Sequence, residues 1–210
     1  YLSEPVRHQL AVVDREGSLL SRIDRGLSIH HPRVSPGGDL ALAVRSSRSS
    51  SAWIFSAENL SAAAEGLQLD DDVSVSHFIW TGDGRVVYAS QGSDVDATEL
   101  RRRAPGDTEE GELLLPASAG HVRIPTSTSP DARWLLFDES RDFDRWEMWL
   151  LDLQSDVEPV KLRPSSDSEH SGAFSPDGAS IAFVSDRSGQ EEVYVVPFPV
   201  PGSETEHVDE

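Results

Sequence analysis

Ser175-Pro176-Asp177-Gly178-Ala179-Ser180-Ile181-Ala182-Phe183-Val184-Ser185-Asp186-Arg187-Ser188-Gly189, followed by Glu192-Val193-Tyr194-Val195, alternates turn chemistry with short apolar runs. Pro at the second position of the opening tetrapeptide pre-sets φ, Asp tolerates the third and Gly suits the fourth. Together they read as a type I turn between adjacent strands. The run Ile181–Val184 is apolar at every position instead of alternating with polar residues. That pattern reads as a strand covered on both faces, with Phe183, Val193 and Val195 expected in the core.

Working outward, the turn recurs as Ser35-Pro36-Gly37-Gly38, Thr81-Gly82-Asp83-Gly84 and Ser129-Pro130-Asp131-Ala132. The first residues of the four turns are 46, 48 and 46 positions apart. Each turn leads into an apolar run (Leu40–Val44, Val86–Ala89, Trp134–Phe137, Ile181–Val184). A loop and a second run follow (Ala52–Phe55, Thr98–Arg102, Glu147–Leu151, Glu192–Val196), then a weaker strand such as Glu112–Leu115 or Pro159–Leu162. A unit of about 47 residues with four short strands lies in the range of propeller blades. The expected class is therefore all-β, a β-propeller of four-stranded antiparallel blades. Complete blades are placed at about 29–69, 73–115, 122–162 and 171–208. The hairpin Gln9–Ile23, around Asp14-Arg15-Glu16-Gly17, supplies a half blade. About four and a half blades form an incomplete ring, six being a candidate number for the intact one. Only Leu60–Leu67 offers a turn or two of helix.

At this level of detail the fourth repeat resembles the TolB-like (WD-repeat-like) β-propeller repeat, whose pattern is Ser-Pro-Asp-Gly, an apolar strand, Ser-Asp-Arg-x-Gly and a strand with Tyr. The third repeat departs at Ala132 and lacks the Ser-Asp-Arg loop, the first has Gly37 for Asp, and the second has Thr81-Gly82 for Ser-Pro. The tail Tyr194-Val195-Val196-Pro197-Phe198-Pro199 is similar to propellers fused behind bacterial serine/threonine kinase domains. Such repeats also form the gating propellers of prolyl-oligopeptidase-like peptidases. The resemblance implies a non-catalytic protein- or ligand-binding or sensor module, with Asp186-Arg187 as structural contacts. The alternative is an accessory propeller of a larger enzyme whose catalytic domain lies outside this chain. It also favours a periplasmic or extracytoplasmic location. Fold alone names no ligand.

Charge narrows the partners. The chain of 210 residues carries 18 Lys+Arg against 37 Asp+Glu, a formal charge of −19. Nucleic acid and anionic membrane surfaces need a basic face and are not expected as partners. Lys161 is the only lysine and Asn59 the only asparagine. An acid-rich, lysine-poor surface suits a salt-loving source, the alternative being an ordinary acidic protein. Cysteine is absent, which excludes disulfides, thiolate metal sites and a cysteine nucleophile. No apolar run approaches the ~18 residues of a membrane span, so a soluble chain is expected. It begins with Tyr1 instead of Met, as expected of a piece of something longer.

No Gly-x-Ser-x-Gly elbow, Walker loop, His-Glu-x-x-His pair or kinase catalytic loop occurs, so no catalytic residue and no cofactor are assigned. The candidate ligand residues are histidines ahead of the turns. His30 and His170 stand five positions before their turns, and His31 and His77 four. In a propeller the strand ahead of this turn is innermost, so these side chains are expected near a channel mouth. Asp70, Asp72 and Glu169 join them, with Asp71 and Asp167 alongside. Imidazoles and carboxylates in one place suit a basic peptide; they also suit a divalent metal, though no metal site is assigned. The alternative is a wet, polar channel lining. The stretch Asp138–Asp144 lacks the spacing of an EF-hand calcium loop and reads as a solvated surface turn. The five tryptophans read as packing between blades. Self-association through an open ring edge completes the expected partners.

Overall fold

The computed structural model describes residues 10–23, 28–45, 50–55, 67–69, 74–91, 97–107 and 110–198. No helix occurs among them, and none of the described elements is a helix long and apolar enough to cross a membrane. The chain forms two compact units, 1–125 and 126–210.

In the first unit β1 (Leu10–Val13) and β2 (Leu19–Ile23) form an antiparallel hairpin. β3 (Ser28–Val34), β4 (Leu40–Arg45), β5 (Ser50–Phe55) and β6 (Leu67–Gln68) form one four-stranded meander. β7 (Ser74–Trp80), β8 (Val86–Gln91), β9 (Thr98–Arg103) and β10 (Glu112–Leu115) form a second. These two sheets enclose Ala52, Ile54, Leu69, Val75, Phe78, Val86 and Tyr88, with Trp80 at the margin. Trp80 Nε1 also donates to the Arg33 carbonyl.

A third four-stranded sheet runs β11 (Val122–Thr128), β12 (Trp134–Ser140), β13 (Trp146–Asp152) and β14 (Val160–Lys161). In the second unit the final sheet has three strands among the described residues, β15 (Glu169–Phe174), β16 (Ser180–Ser185) and β17 (Glu192–Pro197). Its Ile181, Phe183, Tyr194 and Val196 pack on Trp134, Leu136, Met148, Leu150 and Leu162, with Phe174 and Phe198 at the edge. Gly172 makes this approach possible: a Cβ there would stand 2.4 Å from Leu136 Cδ2.

The turns explain why the repeat takes its form. The fourth residue donates its N–H to the first carbonyl at 3.0 Å in Ser35–Gly38 and Thr81–Gly84, and at 2.9 Å in Ser129–Ala132 and Ser175–Gly178. That residue has positive φ in every case (94°, 81°, 55° and 73°). Where Asp holds the third position, the first hydroxyl donates to it, as in Ser175 Oγ to Asp177 Oδ1 at 2.6 Å. The same hydroxyl accepts the N–H that restarts the strand, such as Ser180 N–H at 3.0 Å. Ser-Pro-Asp-Gly is thus a closed hydrogen-bonding set. Asp14–Gly17 closes the β1–β2 hairpin by the same bond.

Two expectations are corrected. β12 is buried throughout, but β16 is buried only at Ile181, Phe183 and Ser185, while Ala182 and Val184 are half-buried. Val193 and Val195 are not core residues; they are 72% and 67% exposed. Both lie on the face of β17 turned away from β12–β14, where no described residue of the unit covers them. Val73, Val208 and most of Leu60–Leu67 lie outside the described residues.

Candidate ligand site

The first strand of three sheets is broken ahead of its turn, at residues 31–32 on β3, at the equivalent residues 171–172 on β15, and one position earlier, at Ser76, on β7. Register slips between His30 and Arg33 on β3, Val75 and His77 on β7, and His170 and Ala173 on β15. His31 and Ser171, each four residues before its turn, have φ of 49° and 58°. Left-handed backbone on a residue other than glycine costs about 1–3 kcal/mol and persists only where surroundings enforce it. A bulge also re-aims side chains out of the strand pattern.

In the first unit the bulges bring His31 and His77 together, with ring centroids 5.0 Å apart and planes tilted by 46°. His31 is exposed and His77 half-buried. His30 lies on β3, but its side chain, like Asp70, Asp71 and Asp72, is outside what the structure describes.

In the second unit His170 Nδ1 lies 3.0 Å from Ser171 Oγ, and its Nε2 lies 3.2 Å from Glu191 Oε1. Glu169 is buried and meets Arg187 Nη2 at 2.7 Å. Arg187 also spreads over the Tyr194 and Phe183 rings. Asp186 Oδ1 accepts the Ser168 N–H at 2.9 Å. The Ser-Asp-Arg loop is therefore stitched to the start of β15, and Glu169 faces a fixed partner instead of an open site. Asp167 accepts from Ser165 Oγ at 3.3 Å.

Sequence reasoning missed Asp138. It and Glu139 belong to β12 and are buried, so they are not part of a solvated loop; only Arg141–Arg145 form the exposed turn. Asp138 Oδ2 accepts the Ser171 N–H at 2.8 Å. Oδ1 is buried without a hydrogen-bond partner among the described residues. Burial pushes the carboxyl up to about 7 against the opposing pull of the Ser171 N–H. The signal was a carboxylate directly following the apolar run Trp134–Phe137. Among the described residues no group of three or more His, Asp or Glu is arranged to hold a metal ion.

No family model matches the chain, and no curated protein does. Solved structures do. A TolB-type protein of Agrobacterium tumefaciens superposes with a TM-score of 0.67 at 18% identity, over 89% of this chain and 64% of that one. TolB from Acinetobacter baumannii gives 0.60 at 22% identity, over 79% and 40%. Prolyl oligopeptidase B from Galerina marginata gives 0.66 at 14% identity, over 88% and 29%. The chain thus spans between two fifths and two thirds of the two TolB proteins. The fold it shares with them is the TolB-like β-propeller.

Proposed function

We propose that the chain is a non-catalytic binding or sensor module whose ligand is a protein or peptide bearing basic side chains. The observation that carries this reading is the repeated bulge. Two first strands, β3 and β15, break at one repeat position at the cost of left-handed backbone, beside His31 and His170, and β7 breaks one position earlier, beside His77. A purely structural repeat gains nothing from strain kept at the same point. In the first unit His30, Asp70 and Asp72 accompany His31 and His77 as proposed ligand residues; in the second, His170 is the proposed ligand residue and the neighbouring Glu169 is held by Arg187. The net charge of −19 favours cationic partners.

Calorimetric titration with a decamer rich in arginine, against an acidic decamer as control, tests the reading. Binding of the basic peptide alone is expected, weakening with salt. His31→Asn, which keeps a residue tolerant of positive φ, and His170→Gln should each weaken it by about fivefold or more. Equal binding of both peptides, or indifference to both substitutions, overturns it.

A second reading, an accessory propeller of a larger peptidase or kinase, is favoured by the likeness to prolyl oligopeptidase B, of which this chain spans 29%. Catalytic motifs encoded beside residues 1 or 210 would support that role.

A further inference from the structure

We propose that Asp138 is a proton-operated positioning residue for the His170–Ser171 part of the site, latching the β15 bulge as a carboxylate and loosening it when protonated. The effect on binding rests on the ligand reading above; the latch itself does not.

The latch is a single bond between strands 33 residues apart, from Ser171 N–H to Asp138 Oδ2 at 2.8 Å. It falls on the one residue of β15 with positive φ, so it restrains the backbone at its strained point. Ser171 in turn holds His170 through its hydroxyl at 3.0 Å. The rest of the Asp138 carboxyl is anomalous: 4% of the residue is exposed, and Oδ1 meets no donor among the described residues. A buried polar atom left without a partner calls for a functional account.

The ionisable groups on the described strands packed against β12 are engaged elsewhere: on β11, Arg123 Nη1 donates to the Pro116 carbonyl at 2.7 Å. On β15, Glu169 is held by Arg187 and His170 meets Glu191. On β13, Glu147 is held by Lys161 and Arg145, and Asp152 by Arg133. None of them acts on the Asp138 carboxyl, which responds to burial and to the Ser171 N–H alone, with its midpoint at about 7. As a carboxylate, Asp138 accepts a charge-assisted bond; as a neutral acid it accepts a weaker one, while its own proton on Oδ1 finds no acceptor among the described residues. Protonation therefore relaxes the bulge that presents His170.

Amide exchange at Ser171, followed between pH 5 and pH 9 and corrected for intrinsic rate, reads the latch directly. Protection should fall on the order of tenfold as pH drops through about 7, because a charged acceptor holds an N–H more strongly than a neutral one. The fall should vanish in Asp138→Asn and survive in His170→Gln. Protection that does not change with pH, or a change that persists in Asp138→Asn, overturns the latch. The arginine-rich decamer should bind more tightly at pH 8 than at pH 6, with a smaller difference in Asp138→Asn. A working latch with no such difference overturns the positioning role. Failure of the decamer to bind any form, with the latch intact, overturns the ligand reading instead.

Discussion

Arg187 reaches back 18 residues to place Nη2 2.7 Å from Oε1 of Glu169, a residue 3% exposed at the start of β15. The guanidinium also lies 4.2 Å from the Tyr194 ring centre, and its Nε donates to Ser185 Oγ. One side chain thus binds all three strands of the final sheet. A buried carboxylate stripped of the cation that holds it is costly. Arg187→Ala should therefore lose about 3–5 kcal/mol in urea denaturation. Adding Glu169→Gln should recover a substantial part, since the stranded charge is then gone. A loss below about 1 kcal/mol in the single variant would show the pair to be replaceable.

At the turns, Ala132 and Gly178 occupy equivalent positions with φ of 55° and 73°. A Cβ on Gly178 would lie 3.2 Å from Pro130 Cδ, tight as well as strained. Gly178→Val should cost about 1 kcal/mol or more. Ala132→Gly should stabilise by roughly 0.5–1 kcal/mol, because the left-handed strain of Ala exceeds the added freedom of Gly in the unfolded chain. Melting temperatures moving the same way in both variants would refute this pairing.

These turns were legible because the chemistry is local: a hydroxyl, a fixed φ, a carboxylate and a glycine within four residues specify one hydrogen-bonded unit. The blade order followed from their spacing. Burial at the end of the array was not legible, since Val193 and Val195 look like any other strand residues. Whether a neighbouring sheet covers them is a tertiary fact that a two-residue period cannot carry. His31 and His77, singled out by position, lie with ring centroids 5.0 Å apart. The Asp138–Ser171 bond was invisible because it joins two different repeats. The Asp138 carboxylate was assigned to the loop that follows it on the strength of its charge, which strands buried on both faces seldom contain.

Asp138 also makes stability depend on pH with a definite sign. Its folded pKa of about 7 lies above the ordinary carboxylate value. The folded state therefore binds the proton more tightly than the unfolded chain. Its contribution is fully present below about pH 4 and is lost as pH rises through 7. Asp131, Asp152 and Asp177, held low by hydrogen-bond donors, act oppositely and lose their contribution as pH falls below the carboxylate range. Comparison with Asp138→Asn cancels those groups. The variant should match the parent near pH 4 and exceed it by a few kcal/mol, to order of magnitude, at pH 8. Superimposable stability curves across that range would defeat the assignment.

The two faces of β17 should respond oppositely to substitution. Equivalent turn bonds, Ser129 N–H to Trp134 O and Ser175 N–H to Ser180 O, align β12 with β16. Cross-strand register then places Val193 and Val195 where β13 has Met148 and Leu150. Met148 and Leu150 are 1% and 2% exposed beneath the final sheet, whereas their counterparts lie open. Ala182 and Val184 extend that open row across β16. An apolar face with the pattern of a packing surface favours association with another such sheet, and self-association is the outcome available to the isolated chain. Sedimentation at micromolar concentration should show association that strengthens with salt, as the repulsion between chains of −19 is screened. Val193→Lys with Val195→Lys should yield a monomer with stability within about 1 kcal/mol of the parent, since neither side chain is buried. Phe183→Ala, on the covered face, should cost ~3–5 kcal/mol and leave the associating surface intact. A parent chain that sediments as a monomer at all salt concentrations would show that this face does not act as a packing surface.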